Sequence, residues 1–569
     1  MKPINSNVKH LLSFTTDISD CTLPSAFTFP YYYTPHPLAA MAMTELQNYL
    51  ETQAEWSYDF AQRGMMFGVL VVKNAAGDIG YLSSFCDDVI QADCNQAYPT
   101  FFVDAVVEAV VDVNTSKTQD LDGQLTSLEL DISKQRSSAN YLQLKQHLQE
   151  QRLESERQIA AQQQRNSEAK AERKQQRLDM ESQLGQSIDD AGLQSFIQAL
   201  GVQSSHEKRA FKALKQQWQS QLADIEEQYQ HEQCKIARME TQHKELQALL
   251  KIQQQKSVQF LNRKGVKKSL FDLSSQSSQS DDQQPITQSS GQNLPKLLQA
   301  AFLQNLTPLA LGEFWWGAAP YDQIRQHKNL YPVCQSKCFE VLQHMLEGIA
   351  IDPSPLEQTP SFDKSLDIVY EDDVLVVVNK PAEFLSVSGK YISDSVQARM
   401  QARYPHATGP MIVHRLDMST SGLLVLTLSG EANKHVQKQF IDRRVEKRYT
   451  ALLEGKILRE TGVITLPLRG DLADRPRQMV CHEEGRAAET TYRVIDVTDN
   501  RTKIHLFPKT GRTHQLRVHC AHQAGLNIPI VGDDLYGFKD TRLHLHAGYL
   551  KFQHPSTGEV MEFEVCEDF

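Results

Sequence analysis

Long apolar runs are missing from this chain of 569 residues. No stretch approaches the roughly 18 uninterrupted apolar residues of a membrane-crossing helix, so the sequence predicts no membrane span. Cysteine is scarce, nine in the whole length, in spacings unlike a disulfide framework. A reducing, cytoplasmic setting is the expectation. Residues 1–13 hold no apolar segment of signal-peptide type. Excess positive charge is also missing. The net charge is −11, so the chain is no basic coat for nucleic acid, and any nucleic-acid binding has to come from local patches. The length leaves room for roughly three or four domains and a sizeable core.

What is present changes along the chain. Residues 1–115 read as a small globular α+β domain, with an aromatic and proline-rich stretch at 27–37 and a helix-like stretch at 41–63. The run at 66–73 (MFGVLVVK) predicts a buried strand, turning at 75–78. Residues 116–260 contain no proline, are rich in Gln, Glu, Lys and Arg, and lack glycine from 124 to 184. Apolar residues there recur every three or four positions (Leu125, Leu128, Ile132, then Leu142, Leu148, Leu153), which predicts a helical, coiled-coil arm. Gly192 and Gly201 bracket a reversal, so two helices are expected to fold back on each other. Such an arm could grip RNA, bind another protein or self-associate. Residues 261–293 read as a linker, Ser/Gln-rich from 272. Residues 294–352 read as a small helical segment in which Phe314-Trp315-Trp316 is packing. From 353 to 569 short β-branched runs alternate with turn signals and a few helices, the texture of an α+β domain.

In that last domain, Val413-His414-Arg415-Leu416-Asp417-Met418-Ser419-Thr420-Ser421-Gly422 precedes the apolar run 423–428. A polar loop leading into a buried strand can hold a carboxylate at the rim of a sheet. An isolated Asp in such a loop is ordinarily a turn cap, but three further segments accompany it. A strand at 367–378 ends in Asn379-Lys380-Pro381. Another strand starts at Lys447-Arg448-Tyr449-Thr450-Ala451. The string Gly511-Arg512-Thr513-His514-Gln515-Leu516-Arg517-Val518-His519 reads as a loop entering a helix, with Thr513 as candidate N-cap.

Together these strings resemble the large-subunit ribosomal RNA pseudouridine synthase family over about 365–569. They are nearest to its A-type branch, which 466–468, 475–481 and 485–492 also resemble. The resemblance implies an α+β, mixed-sheet catalytic domain, here preceded by the helical arm and the small N-terminal α+β domain. It implies isomerisation of uridine to pseudouridine in structured RNA, a ribosomal RNA loop or a tRNA anticodon stem-loop, with no cofactor and no metal. Asp417 matches the catalytic Asp, Arg512 its basic partner and Tyr449 the active-site tyrosine. Arg415 matches the residue that fills the space left by the flipped base, and His414 and Lys380 are grouped with it on the substrate side. The first 360 residues have no counterpart in the compact A-type enzyme.

The chemistry suits these groups. The glycosidic bond breaks, the uracil rotates and rejoins through carbon, and a carboxylate can act as nucleophile or base. A guanidinium keeps a carboxylate ionised and oriented. The target base has to leave its stack. From 362 onward basic and acidic residues nearly balance, so RNA affinity needs segregated charge. Lys434, Lys438, Arg443, Arg444, Lys447 and Arg448 form one candidate patch, and Arg469, Arg475 and Arg477 a second. His327, Cys334, Cys338 and His344 could gather a zinc ion, but their spacing is unspecific. His544 and His546 share one side of a strand. The alternative to an enzyme is a non-catalytic RNA-binding or ribosome-assembly factor on the same fold. A glycoside hydrolase would need two flanking carboxylates, and the motif loops supply one.

Overall fold

The computed structural model describes residues 9–86, 98–103, 115–182, 190–274, 293–333, 338–355, 364–389, 392–472 and 474–569. They divide into two units. One comprises Met1–Val110 with Val258–Phe569, the other Val111–Ser257. No helix among the described residues is long and apolar enough to cross a membrane.

The N-terminal part of the first unit starts with β1 (Leu12–Ser13) and α1 (Pro37–Thr52). His36 caps α1 by accepting from Leu38 N, with Pro37 as the first helical residue. The helix stops at Thr52, short of the 41–63 stretch expected to be helical. Beyond it Trp56, Tyr58 and Phe60 leave the helix to pack on one another and on Phe67. β2 (Met65–Lys73) and β3 (Ile79–Cys86) form a hairpin whose turn uses Gly77 at φ +95°. β2 is apolar at almost every position because both of its faces are covered. Phe67, Val69 and Val71 meet α1, while Leu70 and Val72 enter a second core on the other side. Each such side chain contributes about 1.5–3 kcal/mol on burial.

The second unit is α2 (Thr115–Arg136), α3 (Ala139–Ser182) and α4 (Asp190–Ser257). α2 and α3 run antiparallel to α4. Arg136–Glu240, Arg152–Glu226 and Arg173–Glu207 pair across, and Tyr141 stacks on Tyr229 at 5.5 Å. The expected fold-back is present, but Gly192 and Gly201 do not make it. Both lie inside α4, where a solvated glycine costs a helix only about 1 kcal/mol.

The first unit resumes with β4 (Gln259–Leu261), β5 (Lys267–Ser269), α5 (Leu270–Ser274), α6 (Asn293–Leu303), β6 (Thr307–Trp316) and α7 (Phe339–Met345). β6 pairs with β2 and completes the sheet, order β1-β3-β2-β6. The segment read as helical therefore also carries a ten-residue strand, and Phe314, Trp315 and Trp316 are buried in it. α6 supplies the second core. Asn293 approaches so closely that a Cβ on Gly68 would lie 2.7 Å from its own Cβ.

The remaining elements are β7 (Asp367–Glu371), β8 (Leu375–Lys380), α8 (Val396–Arg403), β9 (Ser421–Thr427), α9 (Gly430–Ile441), β10 (Glu446–Leu453), β11 (Thr461–Thr465), β12 (Leu468–Gly470), β13 (Gln478–Val480), β14 (Glu489–Thr498), β15 (Arg501–Pro508), α10 (Gln515–Ala521), β16 (Leu545–Gln553) and β17 (Val560–Glu564). They build a mixed sheet of order β11-β14-β15-β10-β16-β9-β8-β7, with β17 also on β16. Only β9–β16 is parallel among the described pairs. β12 and β13 form a separate small hairpin.

Candidate active site

Loop 413–420 delivers Asp417 to the start of β9, and both neighbours of Asp417 are tied down. Ser386 Oγ donates to Leu416 O at 2.7 Å and accepts from Leu416 N at 3.1 Å. Met418 O accepts from Phe384 N and from Lys380 Nζ, each at 3.0 Å. Gly422, at φ +115°, then enters the parallel pair, where a Cβ would lie 2.4 Å from Ala547 O. Only glycine fits that backbone and that gap.

Lys380 closes β8 with its side chain fully buried. Nζ donates to Pro381 O (2.9 Å), Phe384 O (2.7 Å) and Met418 O (3.0 Å). Burial pulls its pKa down to about 7, while the Glu383 and Asp417 charges oppose the fall. Only the ammonium form has three protons for three carbonyls. Sequence reasoning grouped Lys380 with substrate contacts. The structure places it beneath the loop as an anchor, out of reach of solvent.

Three elements converge on Asp417 from other directions. Lys380, Tyr449 and His514 all sense its negative charge. Among the described residues, no hydrogen bond or ion pair engages the Asp417 carboxylate. Tyr449 lies where the β10–β16 register shifts between Arg448 and Thr450, an irregularity that re-aims a strand side chain. Burial, then Asp417, raises its hydroxyl pKa above the ordinary range, so it stays protonated. His514, rather than Thr513, is the N-cap of α10. It sits in the left-handed region at φ 52° and makes no side-chain cap. Its Nδ1 lies 2.9 Å from Tyr536 Oη. Burial holds this imidazole below its ordinary pKa, against the pull of Asp417.

Arg512 does not pair with Asp417. Its Nε donates to Ala487 O at 3.2 Å and its backbone N to Gln515 Oε1 at 3.1 Å. The buried guanidinium on the His514 side is Arg517's, which is held by Asp533 and Asp534 and stands 5.4 Å from the Tyr536 ring centroid. In the sequence neither Arg517 nor Asp533, Tyr536 and His514 stands out as a site residue. The available signal was an arginine on the apolar face of a short helix, with two carboxylates in the following loop.

Arg415 is exposed and forms no ion pair among the described residues, so its guanidinium is available. His414 turns the other way. It stacks on Phe440 at 4.6 Å and lies 3.3 Å from Val425 N, where the ring accepts. Burial lowers its pKa to about 3, so the imidazole is neutral and packs the loop from behind.

The first basic patch is largely accessible. Lys434, Lys438, Arg443 and Arg444 are exposed, and Lys447 is half-buried. Arg448 pairs with Glu564 at 2.6 Å. In the second patch Arg475 is exposed and Arg469 pairs with Glu484. Arg477 has to be removed from the RNA-facing set. It is 5 % exposed, paired with Asp474 at 3.0 Å and donating to Leu535 O at 2.9 Å.

Among the described residues no group of three or more His, Cys, Asp or Glu side chains is placed to hold a metal. His327 Nδ1 accepts from Gly317 N at 3.0 Å, His344 Nε2 lies 3.2 Å from the carbonyls of Phe260 and Val266, and Cys338 is the N-cap residue of α7. Cys334 lies outside the described residues. His546 Nδ1 bonds Ser421 Oγ at 2.8 Å, and His544 Nδ1 lies 3.0 Å from Arg542 O.

A family model described as RNA pseudouridylate synthase matches residues 374–522, from within the β7–β8 turn to the end of α10. The chain is an RNA pseudouridine synthase, an isomerase. Similar proteins include the dual-specificity RNA pseudouridine synthase RluA of Escherichia coli K12, 42 % identical over 210 residues, or 36 % of this chain and 93 % of that one. The protein of the same name from Haemophilus ducreyi is 42 % identical over 225 residues, 38 % of this chain and 99 % of its own. The solved structure of Human RNA Pseudouridylate Synthase Domain Containing 1 is 32 % identical, covering 38 % of this chain and 87 % of that one, with a TM-score of 0.31. The chain belongs to the RluA-type RNA pseudouridine synthase family, and it carries an N-terminal extension besides that domain.

Proposed function

We propose that the chain isomerises uridine within RNA stem-loops, of ribosomal RNA, tRNA or both, and that Asp417 is the catalytic carboxylate. The supporting observation is the clamp on either side of Asp417. Ser386 holds Leu416, Lys380 and Phe384 hold Met418, and the carboxylate between them has no partner among the described residues. A group held this way meets a flipped nucleotide without reorganising. The C1′–N1 bond breaks, the uracil turns, C1′ bonds to C5, and the C5 proton is lost as N1 gains one. Asp417 serves as nucleophile or base in that sequence. Tyr449, kept protonated, stacks on the uracil or passes a proton. Arg415, exposed on the same loop, takes the place of the extruded base. Lys434, Lys438, Arg443, Arg444, Lys447 and Arg475 neutralise backbone phosphates. The relatives' dual-specificity names favour more than one RNA substrate.

The test is pseudouridine mapping of total RNA from cells lacking the protein, complemented with wild type or Asp417→Asn. Sites that vanish and return only with wild type support the reading and name the substrate. Sites restored by Asp417→Asn would sink it in favour of a non-catalytic RNA-binding role.

A further inference from the structure

Residues 321–331 belong to the extension, yet they are bound into the catalytic domain. Ile324 is 6 % exposed and lies in the same core as Val480, Leu516 and Tyr536. Val480 N donates to Asp322 O at 3.2 Å, and Gln326 Nε2 donates to Tyr536 O at 3.2 Å. Arg325 pairs with Asp474 at 2.8 Å, and the same carboxylate pairs with Arg477 at 3.0 Å. The Tyr331 ring lies 4.7 Å from the Arg325 guanidinium and 4.9 Å from that of Arg477. Burial alone would raise the Asp474 carboxyl, but the two guanidiniums hold it below its ordinary pKa.

The Asp322, Arg325 and Tyr331 contacts fall on the β12–β13 hairpin, whose connecting loop carries Asp474, exposed Arg475 and Arg477, while Gln326 reaches Tyr536 beside it. A two-stranded hairpin is marginal alone and takes its position from what it is tied to. Asp474 and Arg477 would neutralise each other without Arg325, so the second guanidinium is not needed to balance charge inside the hairpin. What it adds is a tether to a separate segment of chain. The tether also approaches the catalytic loop: Tyr536 Oη accepts from Gln478 N at 2.7 Å and lies 2.9 Å from His514 Nδ1, and His514 senses Asp417.

We propose that residues 321–331 are a strap that fixes the Arg475 hairpin for RNA, with Arg325 as a positioning residue for substrate binding. The proposal rests on the reading above that this site binds RNA through Arg475. The variant to make in the full chain is Arg325→Met, which keeps side-chain bulk and leaves Asp474 paired with Arg477. Steady-state kinetics on an RNA stem-loop containing the mapped uridine should show KM rising about tenfold, with kcat at saturating RNA within about twofold of wild type. Arg475→Ala should raise KM comparably, and the double variant should be no worse than either single one. Arg325→Lys keeps the charge and loses the planar fork, and should give a smaller KM rise at unchanged melting temperature. An unchanged KM in both Arg325 variants beside a raised KM in Arg475→Ala overturns the strap and leaves the RNA reading standing. An unchanged KM in Arg475→Ala overturns both the strap and the assignment of Arg475 to RNA. A fall in kcat in step with lost thermal stability would make Arg325 merely structural and overturn the strap.

Discussion

Replacing Lys380 by Met removes the anchor beneath the catalytic loop while keeping an unbranched chain in its place. Three carbonyls lose a donor. Met418 O keeps the Phe384 amide, so Pro381 O and Phe384 O are the two left bare. Two unsatisfied carbonyls cost about 1–3 kcal/mol each. Against that, an ammonium no longer has to be buried, which relieves several kcal/mol. The two effects nearly cancel, so the melting temperature should move by only a few degrees. The loop does not fare so well. Met418 loses one of its two tethers, and a shift of about 1 Å in the adjacent carboxylate costs on the order of 100-fold in rate. The pH dependence separates the two effects further. Folding disfavours the ammonium, so between about 7 and 10.5 the unfolded chain keeps a proton that the folded chain sheds. The stability contribution of this group therefore rises with pH across that window and is flat below it. Activity should go the opposite way, because neutral Lys380 has two protons for three carbonyls and releases part of the clamp. Wild-type kcat should decline above pH of about 7 without a matching fall in melting temperature, and Lys380→Met should lack that decline. Turnover measured from pH 6 to 9 on a stem-loop substrate, with thermal melts alongside, checks this. Wild-type kcat in Lys380→Met, or an alkaline decline that survives the substitution, would refute the reasoning.

Two further expectations follow from the same geometry. Gly422→Ala forces a Cβ to within 2.4 Å of Ala547 O at a φ of +115°, so the β9–β16 junction should lose upwards of about 2 kcal/mol, read as a lower denaturation midpoint. Lys434→Gln with Lys438→Gln removes two exposed cations of α9 and should weaken RNA binding while reducing the slope of log affinity against log salt by about 1.4–1.8. An unchanged slope would remove α9 from the RNA-binding face.

The sequence disclosed what is local. The 66–73 run reads as buried because both faces of β2 are covered, and the Asp417 loop reads as a site because three further strings accompany it and together resemble the synthase family. Long-range relations were not legible. β6 joins β2 across the whole helical unit, and no pattern in Thr307–Trp316 names its partner. Arg512 and Arg517 lie five residues apart in one string, and only the folded helix shows that Arg517 turns inward while Arg512 turns to Ala487 O. Arg477 looked like one of a basic cluster, and its burial depends on Asp474, Tyr331 and a segment well over a hundred residues earlier. Lys380 was legible as an Asn-Lys-Pro turn, but its place beneath the loop is set by carbonyls of the turn that follows it and by Met418 O of the Asp417 loop. Gly192 and Gly201 were misread because glycine marks turns only when the surrounding sequence cannot sustain a helix, and there it can.

The closing of the N-terminal sheet by β6 has a consequence for how the chain is made. β2 ends at Lys73 and its second neighbour begins at Thr307, so on the translating ribosome roughly 230 residues must be added before that flank is covered. At roughly 5–20 residues per second this interval lasts on the order of 10–50 s. Throughout it a strand as apolar as MMFGVLVVK presents an open edge, the kind that recruits other strands. The nascent chain therefore carries an aggregation-prone edge during synthesis, and its soluble yield should depend on how quickly the helical insert is read through.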